Sequence, residues 1–153
     1  MPRQTAVLFL TLASAAMILS AWGFQYIGGY APCKMCYWQR YPHIAAVIIG
    51  GLALAIKQRV LVWLGALASV TTGVIGIYHS GVERKLWEGP TSCTSSSIGG
   101  LNSDELFNQI MNAPLVRCDD IPWQMAGFTM ANLNAIISLG LAFLWILVAL
   151  KRD

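Results

Sequence analysis

Apolar residues fall along this chain in four long blocks separated by short polar breaks. No charge lies between Arg3 and Lys34, and Ala6 to Ile27 is mostly apolar. A shorter block, Tyr41 to Ile56, sits between Arg40 and Lys57. A third, Val60 to Val82, sits between Arg59 and Glu83, and a fourth runs from Ile121 to Leu150, most apolar from Ala131 onward. A membrane-spanning helix needs about 17–25 such residues. The first, third and fourth blocks reach that length. The second reaches it if its helix begins near Cys36, with Arg40 lifting its guanidinium toward the headgroups; a re-entrant segment is the alternative. Residues 1–153 are thus expected to form one integral membrane domain, an all-α four-transmembrane-helix bundle. Its spans fall at about 6–27, 38–56, 60–80 and 128–150, and its two outer loops at about 28–37 and 81–127.

A cleaved leader is a weaker reading of the first block. Arg3 supplies a basic end and Ser20 and Ala21 small residues, but apolar sequence continues through Trp22, Phe24 and Ile27, longer than a signal core. Composition agrees with a membrane protein: 56% of residues are hydrophobic and 11% charged, against about 25% charged in soluble domains. The net charge of +3, with no basic run or stacking-aromatic module, argues against a nucleic-acid partner.

Charge orients the bundle. Arg3, the pair Lys57 and Arg59, and the pair Lys151 and Arg152 flank the spans on one side, which the positive-inside rule makes cytoplasmic together with both termini. The other side carries every acidic residue except Asp153. Trp22, Tyr26, Tyr30, Tyr37, Trp38, Tyr41, Tyr78, Trp87 and Trp123 cluster near that outer boundary, as an interfacial belt does.

The first outer loop is short and carries Gly28, Gly29 and Pro32. The second is long. Gly89 to Ser97 holds turn residues without a helical period and is expected to be mobile, leaving Cys93 on extended, accessible backbone. Asn102 or Ser103 then caps a short amphipathic helix whose Leu106, Phe107, Ile110 and Met111 share one face; it is expected on the membrane surface or packed on the bundle end. Glu83 and Arg84 read as a solvated face, and His43 as a helix-start or headgroup contact.

All four cysteines lie in the two outer loops: Cys33 and Cys36 in the first, Cys93 and Cys118 in the second. In a bacterial cell that side is oxidising. A Cys-x-x-Cys ring opens and closes readily and often has lowered thiol pKa values. Here Lys34 lies inside the motif and Arg40 four residues after Cys36, so cations stand by to stabilise a thiolate. Haem attachment would need His in place of Tyr37. A four-cysteine zinc site would need closer spacing than Cys36 to Cys93 or Cys93 to Cys118 provides, so no metal ligands are expected. Two structural disulfides remain the alternative to redox chemistry. No Gly-x-Gly-x-x-Gly follows a strand, so flavin and nicotinamide lack a fingerprint.

The run Cys33-Lys34-Met35-Cys36-Tyr37-Trp38-Gln39-Arg40 resembles the hallmark of the DsbB family, the bacterial membrane disulfide-bond formation proteins. Gly89-Pro90-Thr91-Ser92-Cys93-Thr94, Cys118 and Pro122 to Met130 resemble that family's second outer loop and the lead-in to its last span. The resemblance covers nearly the whole chain. It implies a protein of the bacterial inner membrane with periplasmic cysteine loops, reoxidising a DsbA-type thiol oxidase and passing electrons to ubiquinone or menaquinone, with a monomer in the membrane lipid as the working unit. By position, Cys93 would form the mixed disulfide with DsbA and Cys118 would resolve it. Cys118 would then exchange with Cys33, and Cys36 would face the quinone ring. Arg40 matches the arginine that supports quinone reduction, and His79 a histidine near the quinone; a headgroup-wetted histidine is the alternative for His79. Lys34 departs from the apolar residue common at its place. A vitamin K epoxide reductase-like protein would carry its Cys-x-x-Cys after the loop cysteines, the reverse of the order here.

Overall fold

The computed structural model describes residues 2–94, 102–111 and 116–151. Four of its helices are long and apolar enough to cross a membrane: α1 (Arg3–Tyr26), α2 (Lys34–Ile56), α3 (Arg59–Glu83) and, after the shorter α4 (Ser103–Met111), α5 (Met130–Leu150). They contain 24, 23, 25 and 21 residues. At about 1.5 Å per residue the shortest reaches about 32 Å, enough for a hydrocarbon core of about 30 Å. The second helix gains its length at its N-terminus, because it opens at Lys34 and takes Cys36 and Arg40 into its first two turns. Ser95, Ser96 and Ser97, the C-terminal Arg152 and Asp153, and the side chains of Glu105, Leu106 and Gln109 lie outside the described residues.

The helices pack in a ring. Consecutive partners are α1 with α2, α2 with α3, and α3 with α5, and the looser contact of α1 with α5 closes it. Away from the cysteines Val7, Leu10, Ala53, Val62, Ala66, Leu141, Trp145 and Ala149 form one buried apolar cluster. Small residues set the helix spacing. A Cβ on Gly65 would stand 3.0 Å from the Trp145 indole, and one on Gly76 would stand 3.0 Å from the Ala135 nitrogen and 3.1 Å from the Ala131 carbonyl. In lipid, where the apolar effect between helices is weak, such close approach is what holds helices together.

The cysteine end is shaped by caps and a hairpin. Cys33 is the N-cap of α2, its sulfur accepting the Cys36 N–H at 3.2 Å. β1 (Gln124–Met125) and β2 (Phe128–Thr129) pair antiparallel, with Gln124 opposite Thr129. Ala126 and Gly127 between them both have positive φ, 49° and 82°, as a two-residue turn of this hand requires. Thr129 then caps α5 in a capping box with Asn132. Trp22, Tyr26, Tyr37, Trp38, Tyr41, Tyr78 and Trp87 are exposed around this end.

Two expectations about this end are corrected. Glu83 is not on a solvated face: α3 runs on to this residue, and its side chain turns inward to 6% exposure, where the Thr129 hydroxyl donates to Oε2 at 2.6 Å. Arg84 is exposed, but it donates to the Gly127 carbonyl at 2.8 Å and to Asn132 Oδ1 at 3.0 Å, pinning the hairpin to α5. His43 is neither a helix-start residue nor a headgroup contact. It is 3% exposed, two turns into α2, facing Asn134 and Ser138 of α5.

Candidate functional site

The two cysteine pairs, remote in sequence, meet in one buried cluster. Cys33, Met35, Val82, Cys93 and Cys118 pack together, with Cys36 and Val116 against them. Cys93 and Cys118 are joined as a disulfide, and the Cys118 N–H donates to the Cys93 carbonyl at 2.6 Å. Cys33 and Cys36 are free thiols with sulfurs 2.9 Å apart. Cys93 is not accessible as expected: it is 1% exposed, because the Pro90 carbonyl accepts its N–H at 3.0 Å and folds the loop onto Val82 and Cys33. Lys34 of the motif points the other way, donating to Ser92 Oγ at 2.9 Å and so tying the start of α2 to the same loop.

Around the free pair stands a row of polar groups from α2 and α3. His79 Nε2 lies 3.5 Å from Cys33 Sγ, and His79 is buried, which sets aside the headgroup-wetted alternative. Gln39, one turn into α2, donates from Nε2 to the Met35 carbonyl at 3.2 Å and to His79 Nδ1 at 2.8 Å. That amide orientation leaves the His79 ring proton on Nε2, the nitrogen facing Cys33. Glu83 Oε1 is 3.9 Å from the same nitrogen. The Cys33 thiol, hydrogen-bonded to Cys36 and buried, is pushed well above the ordinary thiol range. The sulfurs of Cys33 and Cys36 and a ring nitrogen of His79 lie within 4.8 Å of one another, a set that could ligate a thiophilic cation.

Arg40 reaches α1 instead of a carboxylate. Its Nη1 donates to Gln25 Oε1 at 2.5 Å and its Nη2 to the Ala21 carbonyl at 3.3 Å, with the guanidinium 5.3 Å from the Tyr37 ring. No acid neutralises it among the described ion pairs. Beside these groups opens a cavity of about 470 Å³. Cys36, Arg40 and His43 line it from α2, His79 and Glu83 from α3. Its apolar lining comes from Met17, Ile18 and Phe24 of α1 and Leu133 and Ile137 of α5, and Arg117 and Asp120 of the second loop line it as well. The α1–α5 wall is the loosest seam of the ring.

Sequence reasoning singled out the four cysteines, Arg40 and His79, and all six lie within this arrangement. It missed Gln39, Gln25, Thr129 and the inward turn of Glu83. Gln39 follows Cys36 by three residues and Glu83 follows His79 by four, spacings that put each on its partner's helical face.

A family model for the disulfide bond formation protein DsbB matches residues 3–148. The chain belongs to the DsbB family. Among its relatives are two named Disulfide bond formation protein B. The one from Shewanella sp. (strain MR-4) is 31% identical over 133 residues, covering 82% of this chain and 74% of the relative. The one from Albidiferax ferrireducens is 29% identical over 150 residues, covering 90% and 84%. An uncharacterized protein of Rickettsia prowazekii is 26% identical over 137 residues, covering 86% and 79%. No solved structure matches. DsbB membership and four spanning helices make this a multi-pass inner-membrane protein of disulfide bond formation, an oxidoreductase by class.

Proposed function

We propose that this DsbB-family chain is a thiol:quinone oxidoreductase. It reoxidises a DsbA-type dithiol protein outside the membrane and delivers the electrons to ubiquinone or menaquinone. The observation that carries the reading is the junction of the two pairs: a disulfide and a dithiol share one buried cluster beside a cavity lined by all four spanning helices. The cysteine loops face the periplasm and both termini the cytoplasm, in keeping with the basic flanks at Arg3, Lys57, Arg59 and Lys151.

Thiol–disulfide exchange orders the steps. A thiolate of the reduced partner attacks Cys93 Sγ and Cys118 leaves. Cys118 then attacks Cys33 of a Cys33–Cys36 disulfide, and Cys36 leaves. The partner's second thiolate releases Cys93 as the partner becomes oxidised. Cys93 closes again on Cys118 and frees Cys33. The net result is an oxidised outer pair and a reduced inner pair, the arrangement found here.

The cavity residues fit a quinone. The volume suits a substituted ring, the α1–α5 wall suits an isoprenoid tail, and Arg40 offers an un-neutralised cation beside Cys36. A quinone held there would supply a two-electron, two-proton acceptor, to which the Cys33 and Cys36 thiols would give their electrons and hydrogens as they close to a disulfide. Arg40 stabilises the Cys36 thiolate and negative charge at the ring oxygen. His79 directs Nε2–H at Cys33 Sγ and stabilises that sulfur as its proton leaves, with Gln39 holding the tautomer. Met35 and Val82 exclude water from the sulfurs.

The decisive experiment mixes the purified protein with reduced DsbA and a soluble quinone. Quinone reduction with oxidation of DsbA is expected; its absence while Cys36 remains intact would refute the reading.

A further inference from the structure

Sequence spacing excludes a zinc site of four cysteines, but the fold assembles a different donor set. Cys33 caps α2 and Cys36 lies in its first turn, while His79, 46 residues after Cys33, comes from α3. The two sulfurs and a ring nitrogen of His79 lie within 4.8 Å of one another. Thiolates and imidazole are the donors that zinc and similar soft cations take.

Bond lengths test the set. Zn–S of about 2.3 Å and Zn–N of about 2.0–2.1 Å put the S···N edges of a tetrahedral site at about 3.5 Å and its S···S edge at about 3.8 Å. Cys33 Sγ already lies 3.5 Å from His79 Nε2. The two sulfurs are 2.9 Å apart and have to open by about 0.9 Å. Cys33 Sγ is held by the Cys36 N–H at 3.2 Å, whereas the Cys36 side chain is only half-buried, so Cys36 is the one that turns. Charge favours a divalent ion, because two thiolates cancel it and the buried site then carries no net charge. All three residues line the cavity, the side from which an ion and a water as fourth ligand reach them.

His79 has to present a lone pair at Nε2. Gln39 donates to Nδ1, which keeps the ring hydrogen on Nε2. A half-turn of the Gln39 amide offers Oε1 to an Nδ1–H instead, the outer-shell arrangement usual for a metal-bound histidine. The bond from Gln39 to the Met35 carbonyl is then given up.

We propose that the reduced form of this chain binds one divalent thiophilic cation of the zinc class through Cys33 Sγ, Cys36 Sγ and His79 Nε2. Binding releases the two thiol protons, moves the ring hydrogen from Nε2 to Nδ1 and transfers no electrons. While the ion is held the two sulfurs cannot bond to each other, so it locks the pair in the reduced state. The disulfide form has no thiolate to offer and does not bind. The consequence for electron delivery rests on the quinone reading above; the binding does not.

The test uses the full chain in quinone-free nanodiscs, reduced to two thiols per chain that mass spectrometry assigns to Cys33 and Cys36. Cobalt(II) is titrated in and then displaced by zinc(II). The visible spectrum of a four-coordinate, thiolate-bound cobalt is expected, saturating at one ion per chain and absent once the pair is oxidised. His79→Gln keeps a polar partner for Gln39 and should weaken zinc binding by more than about 100-fold, since losing a mere outer-shell partner costs about 10- to 100-fold. Zinc should also slow closure of the pair by diamide, a readout that needs no quinone. Six-coordinate cobalt without a thiolate band overturns the proposal, and so does binding that persists in the oxidised pair. Unchanged affinity in His79→Gln overturns it too, since that marks capture by the dithiol alone. Failure of the metal-free chain to reduce quinone sinks the quinone reading instead and does not move these binding results.

Discussion

Replacing Asn134 with leucine removes the residue that clasps three spanning helices. Its amide contacts the Thr72 carbonyl and hydroxyl on α3, His43 Nε2 on α2 and the Ser138 hydroxyl on its own helix. Hydrogen bonds between membrane helices average about 0.6 kcal/mol, so the three contacts that cross to α2 and α3 come to about 1.8 kcal/mol. Leucine also leaves His43 Nε2–H without its amide acceptor, while Thr72 keeps one bond, donating to the Gln39 carbonyl at 2.9 Å. The expected loss is therefore about 2–3 kcal/mol. Unfolding the protein in mixed micelles by raising the SDS fraction would measure it. A double-mutant cycle with Thr72→Val should give a coupling of about 0.6 kcal/mol, since valine loses the contact to Thr72 Oγ1 and keeps the one to the carbonyl. A loss below about 0.5 kcal/mol with no coupling would show that the clasp is incidental to the packing of α3 on α5.

Other perturbations separate the roles at the cysteine end. Arg40→Ala should slow quinone reduction by about ten- to a hundred-fold, the kinetic equivalent of one charged hydrogen bond of about 1.5–3 kcal/mol, while leaving exchange between DsbA and Cys93–Cys118 nearly intact; equal losses in both half-reactions, followed separately by stopped flow, would remove Arg40 from the quinone step. Thr129→Val strips both the α5 cap and the donor to buried Glu83, and a loss of about 1–3 kcal/mol in the same SDS titration is expected; no loss would mean that water replaces the hydroxyl. Cys33, pushed up by its bond to Cys36 and by burial, stays a neutral thiol as pH rises through the ordinary thiol range. Its alkylation in the native protein should therefore be slow from about pH 7 to about pH 9 and climb steadily with pH without levelling off; a rate that reaches a plateau within that range, read by mass spectrometry, would contradict the assignment.

The spans were legible because lipid demands long charge-free runs, and Arg3 to Lys34 or Asp120 to Lys151 admits few other readings. The four cysteines, Arg40 and His79 were legible because their types and spacing are rare together. Inward-facing polar residues were not. Gln39, His43, Glu83 and Asn134 sit in or beside apolar runs, where composition alone suggests a wetted boundary. What turns them inward is the ring order of the helices, which sets α2 against α3 and α3 against α5. Glu83 illustrates the limit: its burial follows from the Ala126–Gly127 turn, which brings Thr129 back over the end of α3, a contact made 46 residues away. The burial of Cys93 was hidden for a similar reason. Turn-rich sequence says that a loop lacks helical period; it does not say what the loop folds onto.

The bundle divides its labour along its length. Far from the cysteines, Trp145 packed on Gly65 and the cluster around Val7, Val62 and Leu141 contain no titratable group. Close approach there holds the helices together, with Arg3 donating to the Lys57 carbonyl and Arg59 to the Lys151 carbonyl at the helix ends. Midway, the Thr72–Asn134–His43 network joins three helices and floors the cavity. Beyond it the helices part enough to admit a ring, and the packing lost to the cavity is made up by caps and cross-links: Thr129 on Glu83, Arg84 on the hairpin, Arg40 on Gln25, and the disulfide folded onto Cys33. These contacts are polar or covalent but individually reversible, unlike interdigitated apolar packing. A relay needs that property. In the relay proposed above, Cys93 leaves its burial to meet a protein partner and then returns to within reach of Cys33, so the loop is best held by contacts that exchange can break one at a time, on a frame that does not move with it.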